Sequence, residues 1–174
     1  MALELAYLIV SGTTTAYRAP ELVRGLVGIA GRVVTIATPN AARVIALRDL
    51  SVIEGNRVVE SYFDTAILPR PPLGLVLVAP CSFNSLNKLA AGIADNLALS
   101  VTAEAIGRAT PVLVAPSLNA ALLAHPQARA SMQTLRSWNV EVIEPVDPGD
   151  GRGPRLAPLE QIADAARTHW NAQR

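Results

Sequence analysis

Residues 73–97 read LGLVLVAPCSFNSLNKLAAGIADNL, and this stretch decides the fold. Its first part, residues 73–79, is apolar except for Gly74, which is typical of a strand buried on both faces of a sheet. The chain then turns through residues 80–84, PCSFN, into a helix-like sequence. Such a turn places small polar side chains at the carboxyl edge of a parallel sheet, where open α/β sheets bind their ligands. Taken alone, the turn also fits an ordinary helix start with a Ser or Asn as the N-cap.

The rest of the chain alternates strand-like and helix-like segments in the same way. This alternation predicts a three-layer α/β fold with a doubly wound parallel sheet, flavodoxin-like or Rossmann-like, as a single domain over residues 1–174. The Gly- and Pro-rich tail from about residue 147 is predicted to be partly mobile before a last helix. The predicted strands are 5–10, 32–37, 58–59, 73–79, 111–115 and 140–143, and the predicted helices are 18–29, 41–47, 84–91, 96–107, 127–138 and 158–170.

Composition narrows the class of protein. Hydrophobic residues make up 51% of the chain and charged residues 17%, which is enough for a substantial core. The net charge is +1 and no basic run is present, so nucleic acid is not an expected partner. The single cysteine, Cys81, excludes an internal disulfide and a cysteine-based metal cluster, and no metal site is predicted. No apolar run is long enough for a membrane span and no signal peptide is recognisable, so we expect a cytoplasmic protein.

Three predicted strand ends are rich in hydroxyl and amide side chains: residues 11–15, 38–40 and 81–84. The first precedes a helix, whose N-terminus favours an anion, and Gly12 allows close backbone approach. Neither the GxGxxG fingerprint nor a Walker A loop is present. Together the three loops indicate a mononucleotide site, although Ser and Thr in such turns often only cap the helix.

A fourth loop follows the predicted strand at 111–115 and reads PSLNAALLAHP over residues 116–126. Its Pro-x-x-Asn turn fits a capped helix start, and the apolar run after it fits a core helix or a substrate-facing lid. His125 stands directly before Pro126, a position more typical of a solvated or capping residue than of a catalytic base.

Together these motifs resemble the homo-oligomeric flavin-containing cysteine decarboxylases, which include phosphopantothenoylcysteine decarboxylase and the lantibiotic peptidyl-cysteine decarboxylases. The family's Pro-Ala-Ser-Ala-Asn-Thr motif and its Gly-Ile-x-Asp-Asn-Leu segment correspond to residues 80–85 and 92–97. Its Pro-x-Met-Asn-x-x-Met-Trp motif corresponds to residues 116–123, where two leucines replace Met-Trp. The resemblance covers about residues 5–145.

The resemblance implies FMN as the cofactor, with FAD as an alternative, and a small peptide or another cysteine-derived compound as the substrate. In this family the cysteine side chain is oxidised to a thioaldehyde by hydride transfer to the flavin, and carbon dioxide then leaves. Asn119 matches the motif asparagine that contacts the substrate carboxylate, and it is the one catalytic position carried over. The implied flavin-binding residues are Ser11, Gly12, Thr13, Thr14, Thr38, Ser82, Asn84, Asp95 and Asn96, and the implied substrate-binding residues are Pro116, Ser117, Leu118 and Asn119.

The same resemblance implies a homo-oligomer, a trimer or a dodecamer of trimers, with the active site between adjacent subunits. One departure concerns the family's catalytic histidine, whose position is occupied by Ala66. Asp64 or Tyr62 can be considered as a substitute, although a loop-exposed carboxylate is the simpler interpretation. The chain also lacks a second cysteine to return electrons to an enethiol intermediate.

Four hypotheses follow. The first is an FMN-dependent oxidative decarboxylase of the C-terminal cysteine of a peptide. The second is a degenerate flavin-binding subunit that completes or regulates another enzyme, motivated by Ala66. The third is phosphopantothenoylcysteine decarboxylase itself, which the missing second cysteine argues against. The fourth is a plain doubly wound domain in which the polar turns only cap helices.

Overall fold

The computed structural model describes residues 2–174 as strands β1–β6 and helices α1–α7. The strands pair in parallel into one sheet with the order β3-β2-β1-β4-β5-β6. The strands are β1 (Leu5–Val10), β2 (Val33–Ala37), β3 (Asn56–Val58), β4 (Gly74–Cys81), β5 (Val112–Pro116) and β6 (Glu141–Val142). The helices are α1 (Ala19–Ala30), α2 (Leu47–Ser51), α3 (Phe83–Ala90), α4 (Leu97–Gly107), α5 (Ala120–Ala124), α6 (Pro126–Ser137) and α7 (Leu159–Ala172).

The strand order confirms the predicted doubly wound α/β fold. From β1 the chain builds the sheet outwards through β2 to β3, and it then returns to place β4 on the other side of β1. The boundary between β1 and β4 is therefore the topological switch point, where connections leave in opposite directions and open a crevice at the carboxyl ends of the strands. Two of the polar segments recognised in the sequence lie here: residues 11–15 follow β1, and residues 81–84 span the end of β4 and the start of α3.

Two hydrophobic cores cover the two faces of the sheet. Every residue of β1 is buried, and its side chains alternate between the cores: Tyr7 and Ile9 belong to one, Leu8 and Val10 to the other. Helices α3, α4 and α6 pack on the first face, and helices α1 and α7 pack on the second. This burial on both faces explains why the central strands are apolar at consecutive positions instead of alternating with polar residues.

The structure corrects three predicted elements. The helix predicted over residues 41–47 is wrong: a 3₁₀ turn covers Ala41–Arg43, and α2 begins only after Ala46, whose extended backbone interrupts the helix. The connection over residues 116–126 contains the additional short helix α5, which the sequence analysis considered but did not assign. The central strand predicted to end at residue 79 continues to Cys81, with a shift of register against β5.

The tail after β6 forms a closed loop through its own backbone. Val146 and Arg155 form an antiparallel bridge, and the loop between them contains two further turns capped by Asp147 and Asp150. Its predicted mobility stays a prediction. No helix of residues 2–174 has both the length and the apolar character needed to cross a bilayer.

Candidate functional site

A cavity of about 680 Å³ opens at the carboxyl edge of the sheet, above the switch point. Its walls come from the loops after β1, β2, β4 and β5, from the α3–α4 connection and from the tail. The volume falls within the range of roughly 300–1,000 Å³ that small-molecule and cofactor sites occupy. The four polar loops predicted from the sequence therefore border one space.

All but two of the residues predicted to hold a flavin or a substrate line this cavity. They come from segments up to about a hundred residues apart in the chain, and the parallel sheet brings them together because every strand ends at the same edge. The lining residues among those predicted are Gly12, Thr13, Thr14, Thr38, Ser82, Asn84, Asp95, Asn96, Ser117, Leu118 and Asn119.

Ser11 and Pro116 are the two predicted residues that do not line the cavity. Pro116 is buried as the last residue of β5. Ser11 is fully buried, and its hydroxyl donates to the Pro80 carbonyl and accepts from the Ser82 N–H, both at 2.7 Å. The Ser11 side chain therefore ties the end of β1 to the end of β4 and positions the cavity wall instead of facing a ligand.

Further hydrogen bonds lock neighbouring loops together. The Thr15 and Ser117 hydroxyl oxygens lie 2.7 Å apart, which joins the loop after β1 to the loop after β5. The Ser117 N–H donates to the Cys81 carbonyl at 2.9 Å, and the Thr38 N–H donates to the Val10 carbonyl at the same distance. The loops are thereby held in fixed relative positions, which is the preorganisation that a binding site needs.

The capping interpretation of the polar turns is also correct. Ser82, Asn96 and Asn119 each cap the helix that follows, by accepting from backbone N–H groups at 2.9–3.1 Å. The Ser82 hydroxyl donates to Ser85 Oγ and Asn96 Nδ2 donates to Asp95 Oδ1, so among the three caps within residues 2–174 only Asn119 keeps a group without a partner. An asparagine cap uses the amide oxygen alone. Within residues 2–174 the Asn119 Nδ2 group has no hydrogen-bond partner, so this amide is free to donate into the cavity.

The loop at one end of the cavity contains backbone N–H groups that have no hydrogen-bond partner within residues 2–174. The backbone N–H groups of Gly12, Thr13, Thr14 and Thr15 make no hydrogen bond to any acceptor in the described part of the chain. They precede the 3₁₀ turn Ala16–Arg18 and helix α1, whose N-terminal dipole favours negative charge. This donor set fits a phosphate group.

The wall formed by the loops after β4 and β5 is partly apolar. Phe83, Leu118 and Leu122 line it. Phe83 and Leu122 are not among the site residues predicted from the sequence. The His125 ring packs edge-on against Phe83, with ring centroids 5.3 Å apart, and its Nδ1 accepts from the Gln127 N–H at 3.0 Å. His125 is therefore the N-cap of α6, as its position before proline indicated. An apolar wall beside a loop of backbone donors suits a ligand with a flat ring and an anionic tail.

Two charged residues of the wall, Lys88 and Arg155, were missed in the sequence analysis. Lys88 lies one helical turn after Asn84, so the spacing in the sequence could have predicted that both lie on the same side of α3. Its ammonium group bonds the Asp95 carboxylate at 2.5 Å, and this hydrogen bond holds the pKa of Asp95 below its usual range. Arg155 carried no local signal, because its position depends on the bridge to Val146.

Of the titratable side chains in residues 2–174, Lys88, Asp95 and Arg155 line the cavity, and the Asp95 carboxylate is hydrogen-bonded to Lys88. Ala66 packs against the first core and does not line the cavity. Neither Asp64 nor Tyr62 lines it, and Asp64 receives hydrogen bonds from the Ala66 N–H and from Arg57, which lower the pKa of its carboxyl. Burial raises the pKa of the Cys81 thiol far above its usual range, so this cysteine is inert. In the described residues no group of His, Cys, Asp and Glu side chains is placed to hold a metal ion.

The fold and the cavity define a doubly wound α/β protein with a polar-lined cavity at its switch point. The chain belongs to the Flavoprotein family, whose model matches residues 5–168. It is 33% identical over 166 residues to the coenzyme A biosynthesis bifunctional protein CoaBC of Mycobacterium tuberculosis, covering 88% of this chain and 39% of that protein. The chain thus spans about two fifths of the length of such relatives.

A relative of similar length is the probable phosphopantothenoylcysteine decarboxylase of Streptococcus mutans, 30% identical over 89% of this chain and 92% of its own. The fold is also that of solved structures. The FMN-binding protein AtHal3 superposes with a TM-score of 0.81 at 22% identity, covering 98% of each chain. The peptidyl-cysteine decarboxylase EpiD does so with a TM-score of 0.78 at 18% identity, covering 94% of this chain and 98% of its own.

Proposed function

We propose that the protein binds FMN in this cavity and decarboxylates a C-terminal cysteine oxidatively, with a peptide as the substrate. The observation that carries the proposal is one continuous cavity with free backbone donors at residues 12–15 and the free amide of Asn119 in its wall. These two features match the two anionic groups that the reaction brings together, the flavin phosphate and the substrate carboxylate.

The residues present fit the cofactor. The N–H groups of residues 12–15 and the Thr13 and Thr14 hydroxyls would hold the phosphate, and Thr38 borders the same end of the cavity. Ser82, Asn84 and Phe83 would border the ring system. A bound flavin supplies a two-electron acceptor for the cysteine side chain. FMN is favoured over FAD because the structural neighbour AtHal3 is an FMN-binding protein.

Asn119 is the residue proposed to act on the substrate. Its Oδ1 is fixed by the N–H of Leu122 at 2.9 Å, so the Nδ2 group is held in a defined direction. A donor held in this way orients a carboxylate without reorganisation during the reaction. Among the side chains that line the cavity, Lys88 and Arg155 are positively charged and Asp95 is negatively charged. The lining therefore has one more positive than negative charge, which favours an anionic substrate.

The substrate thiol has to lose its proton without a base from this subunit. The titratable lining residues in the described chain are Lys88, Asp95 and Arg155, and Asp95 is committed to Lys88. We therefore propose that the substrate binds as the thiolate, which a cavity with net positive charge stabilises.

A peptide is favoured over phosphopantothenoylcysteine because the chain offers no thiol to return electrons to the oxidised product. Cys81 is the only cysteine, and it is fully buried beneath the loop after β4. An oxidative decarboxylation that ends at the enethiol needs no such thiol. The similarity to the coenzyme A biosynthesis protein CoaBC and to the probable phosphopantothenoylcysteine decarboxylase makes phosphopantothenoylcysteine the competing substrate to assay.

The test is direct. Purified protein is loaded with FMN, and release of carbon dioxide and the mass of the product are measured for Cys-terminated peptides and for phosphopantothenoylcysteine. We expect a peptide product lighter by the elements of formic acid, because carbon dioxide and two hydrogen atoms are lost. Turnover of phosphopantothenoylcysteine to a product that retains both hydrogen atoms would refute the peptide assignment. Absence of flavin binding would refute the whole proposal.

A second candidate, a flavin-binding subunit that needs a partner, is favoured by Ala66 and its surroundings. Ala66 and Ile67 pack against the first core, but three neighbouring apolar side chains are exposed: Tyr62 by 45%, Phe63 by 84% and Leu68 by 47%. Exposed apolar side chains of this size mark a contact surface. We propose that this surface packs in a homo-oligomer built on trimers, in which the site of one subunit is bordered by its neighbour.

Two experiments separate the candidates. Light scattering gives the oligomeric state, and a monomer at working concentration would refute the oligomer. Ala66→His restores an imidazole at the family position; a gain in activity of the isolated protein would support the degenerate subunit. Full activity of the unmodified homo-oligomer would refute it.

A further inference from the structure

Arg155 is the one charge in the cavity wall, within residues 2–174, that no other lining residue neutralises. Lys88 is paired with Asp95, and both line the cavity. The partner of Arg155 is Asp150, which lies outside the wall. A guanidinium in the wall whose only carboxylate partner lies outside the wall favours a ligand that carries a negative charge next to it.

The backbone of the tail brings Arg155 close to α5, the helix that Asn119 caps. Arg155 exchanges two backbone hydrogen bonds with Val146, at 2.9 and 3.1 Å, which close the loop of residues 147–154. A Cβ atom built on Gly153 would lie 3.8 Å from the Cβ of Ala120, so the loop packs against the start of α5. The loop therefore brings Arg155 to the cavity over the helix that Asn119 caps.

The Asp150 carboxylate binds the Arg155 guanidinium in the way that an anionic ligand would. Nη2 of Arg155 donates to Oδ2 at 2.7 Å and Nη1 donates to Oδ1 at 3.1 Å, the two-pronged arrangement that arginine makes with carboxylates and phosphates. Both side chains are about 40% exposed. Ion pairs with this exposure contribute little free energy, so an anionic ligand can displace Asp150.

We propose that Arg155 binds the anionic group of the ligand in this cavity and that Asp150 occupies its guanidinium until that group arrives. The group is a phosphate or a carboxylate, and it comes from the flavin or from the C-terminus of the substrate. The identity of these two ligands rests on the proposed function, whereas the exchange of Asp150 for an anion rests on the geometry of the loop.

The test compares three variants of the full chain: Arg155→Gln, Asp150→Asn and, as the control, Arg152→Gln. Arg152 lies in the same exposed loop and does not line the cavity, so its removal reproduces the change in net charge. Fluorescence titrations measure affinity for FMN and for riboflavin. A second arm uses flavin-loaded protein and a peptide ending in Ser, which cannot be oxidised as a thiol, as the acid and as its amide.

The expected effects have opposite signs. Arg155→Gln weakens binding of the anionic ligand about ten-fold or more, because a charge-assisted hydrogen bond is lost. Asp150→Asn strengthens it about two- to five-fold, because the competing ion pair is removed. If the pair only stabilised the loop, both variants would weaken binding. Arg152→Gln is expected to change little.

The arms identify the source of the anion. An effect on FMN but not on riboflavin assigns Arg155 to the flavin phosphate, and an effect on the peptide acid but not on its amide assigns it to the substrate carboxylate. Unchanged affinities in both arms, or a loss in both variants, would overturn the inference. If the unmodified protein binds no flavin, the proposed function fails, and calorimetry with inorganic phosphate decides the inference by the same opposite signs.

Discussion

Replacement of Ser11 by alanine tests how the cavity is built. The Ser11 hydroxyl donates to the Pro80 carbonyl and accepts from the Ser82 N–H, both at 2.7 Å, and the side chain is fully buried. The alanine variant loses the first bond, although the Pro80 carbonyl keeps the backbone N–H of residue 11 at 3.2 Å. The Ser82 N–H is left without its partner.

The magnitude follows from these contacts. The lost bond contributes about 1 kcal/mol, and an unsatisfied backbone donor costs about 1–3 kcal/mol, so we expect a destabilisation of roughly 2–4 kcal/mol. For a chain of 174 residues this corresponds to a decrease in Tm on the order of 10 °C. Urea unfolding of the flavin-free protein measures the free energy, because a bound ligand would add its own stabilisation.

Ser137→Ala is the matched control. The Ser137 hydroxyl donates to the Thr134 carbonyl at 2.6 Å, but it does so on the exposed face of α6. Its removal is expected to change the free energy of unfolding by less than about 0.5 kcal/mol. If Ser11→Ala were no more destabilising than this control, the conclusion that the Ser11 hydroxyl couples the ends of β1 and β4 would be wrong.

Further predictions concern the loops and the chemistry. In Gly12→Ala the new Cβ would lie 2.7 Å from the Cβ of Asn40, so one loop must move; we expect a loss of roughly 1–3 kcal/mol in stability and weaker FMN binding. Gly28→Ala, in the open on α1, is the control and should stabilise by about 0.4–1 kcal/mol in the same urea titration. Asn119→Asp keeps the cap but sets a carboxylate against the substrate carboxylate, so turnover should be abolished while the flavin absorbance is retained. Since the one carboxylate that lines the cavity in residues 2–174, Asp95, is paired with Lys88, kcat/KM for a Cys-terminated peptide should rise with pH up to about 8.5, the pKa of a free thiol, and a plateau already at pH 6.5 would contradict binding of the substrate as a thiolate without a base. A thiol reagent should leave Cys81 unmodified in the native protein and modify it in urea; rapid native labelling, followed by mass spectrometry, would contradict its burial.

Much of the fold and of the site was accessible from the sequence, because the signals were local. Consecutive apolar residues in β1 and β4 reflect burial on both faces, and each of these strands ends at a polar turn. The motif of residues 80–85 indicates the position of one cavity wall from the sequence alone. Errors arose where the local signal was weak, as in residues 41–47, where an alanine in extended conformation separates two short turns.

The role of individual side chains was harder to predict than their location. Ser11 and Thr15 stand in the same polar loop, yet Ser11 is fully buried and Thr15 borders the cavity. Their difference follows from the direction in which each side chain leaves the strand end, and this direction depends on where β4 and β5 lie. A residue type that fits both a cap and a ligand contact cannot be assigned from its neighbours in the chain alone.

The sequence by itself determined the layered parallel sheet and the four polar strand ends, because each is encoded in neighbouring residues. Only the tertiary structure decided that Ser11 is internal, that Lys88 pairs with Asp95 inside the cavity, and that the tail delivers Arg155 to the same cavity. The Lys88–Asp95 pair depends on the turn between α3 and α4, whereas the burial of Ser11 and the position of Arg155 depend on the strand order and on the closure of a loop between distant residues. Such contacts join segments whose separation in the chain carries no information about their proximity in space.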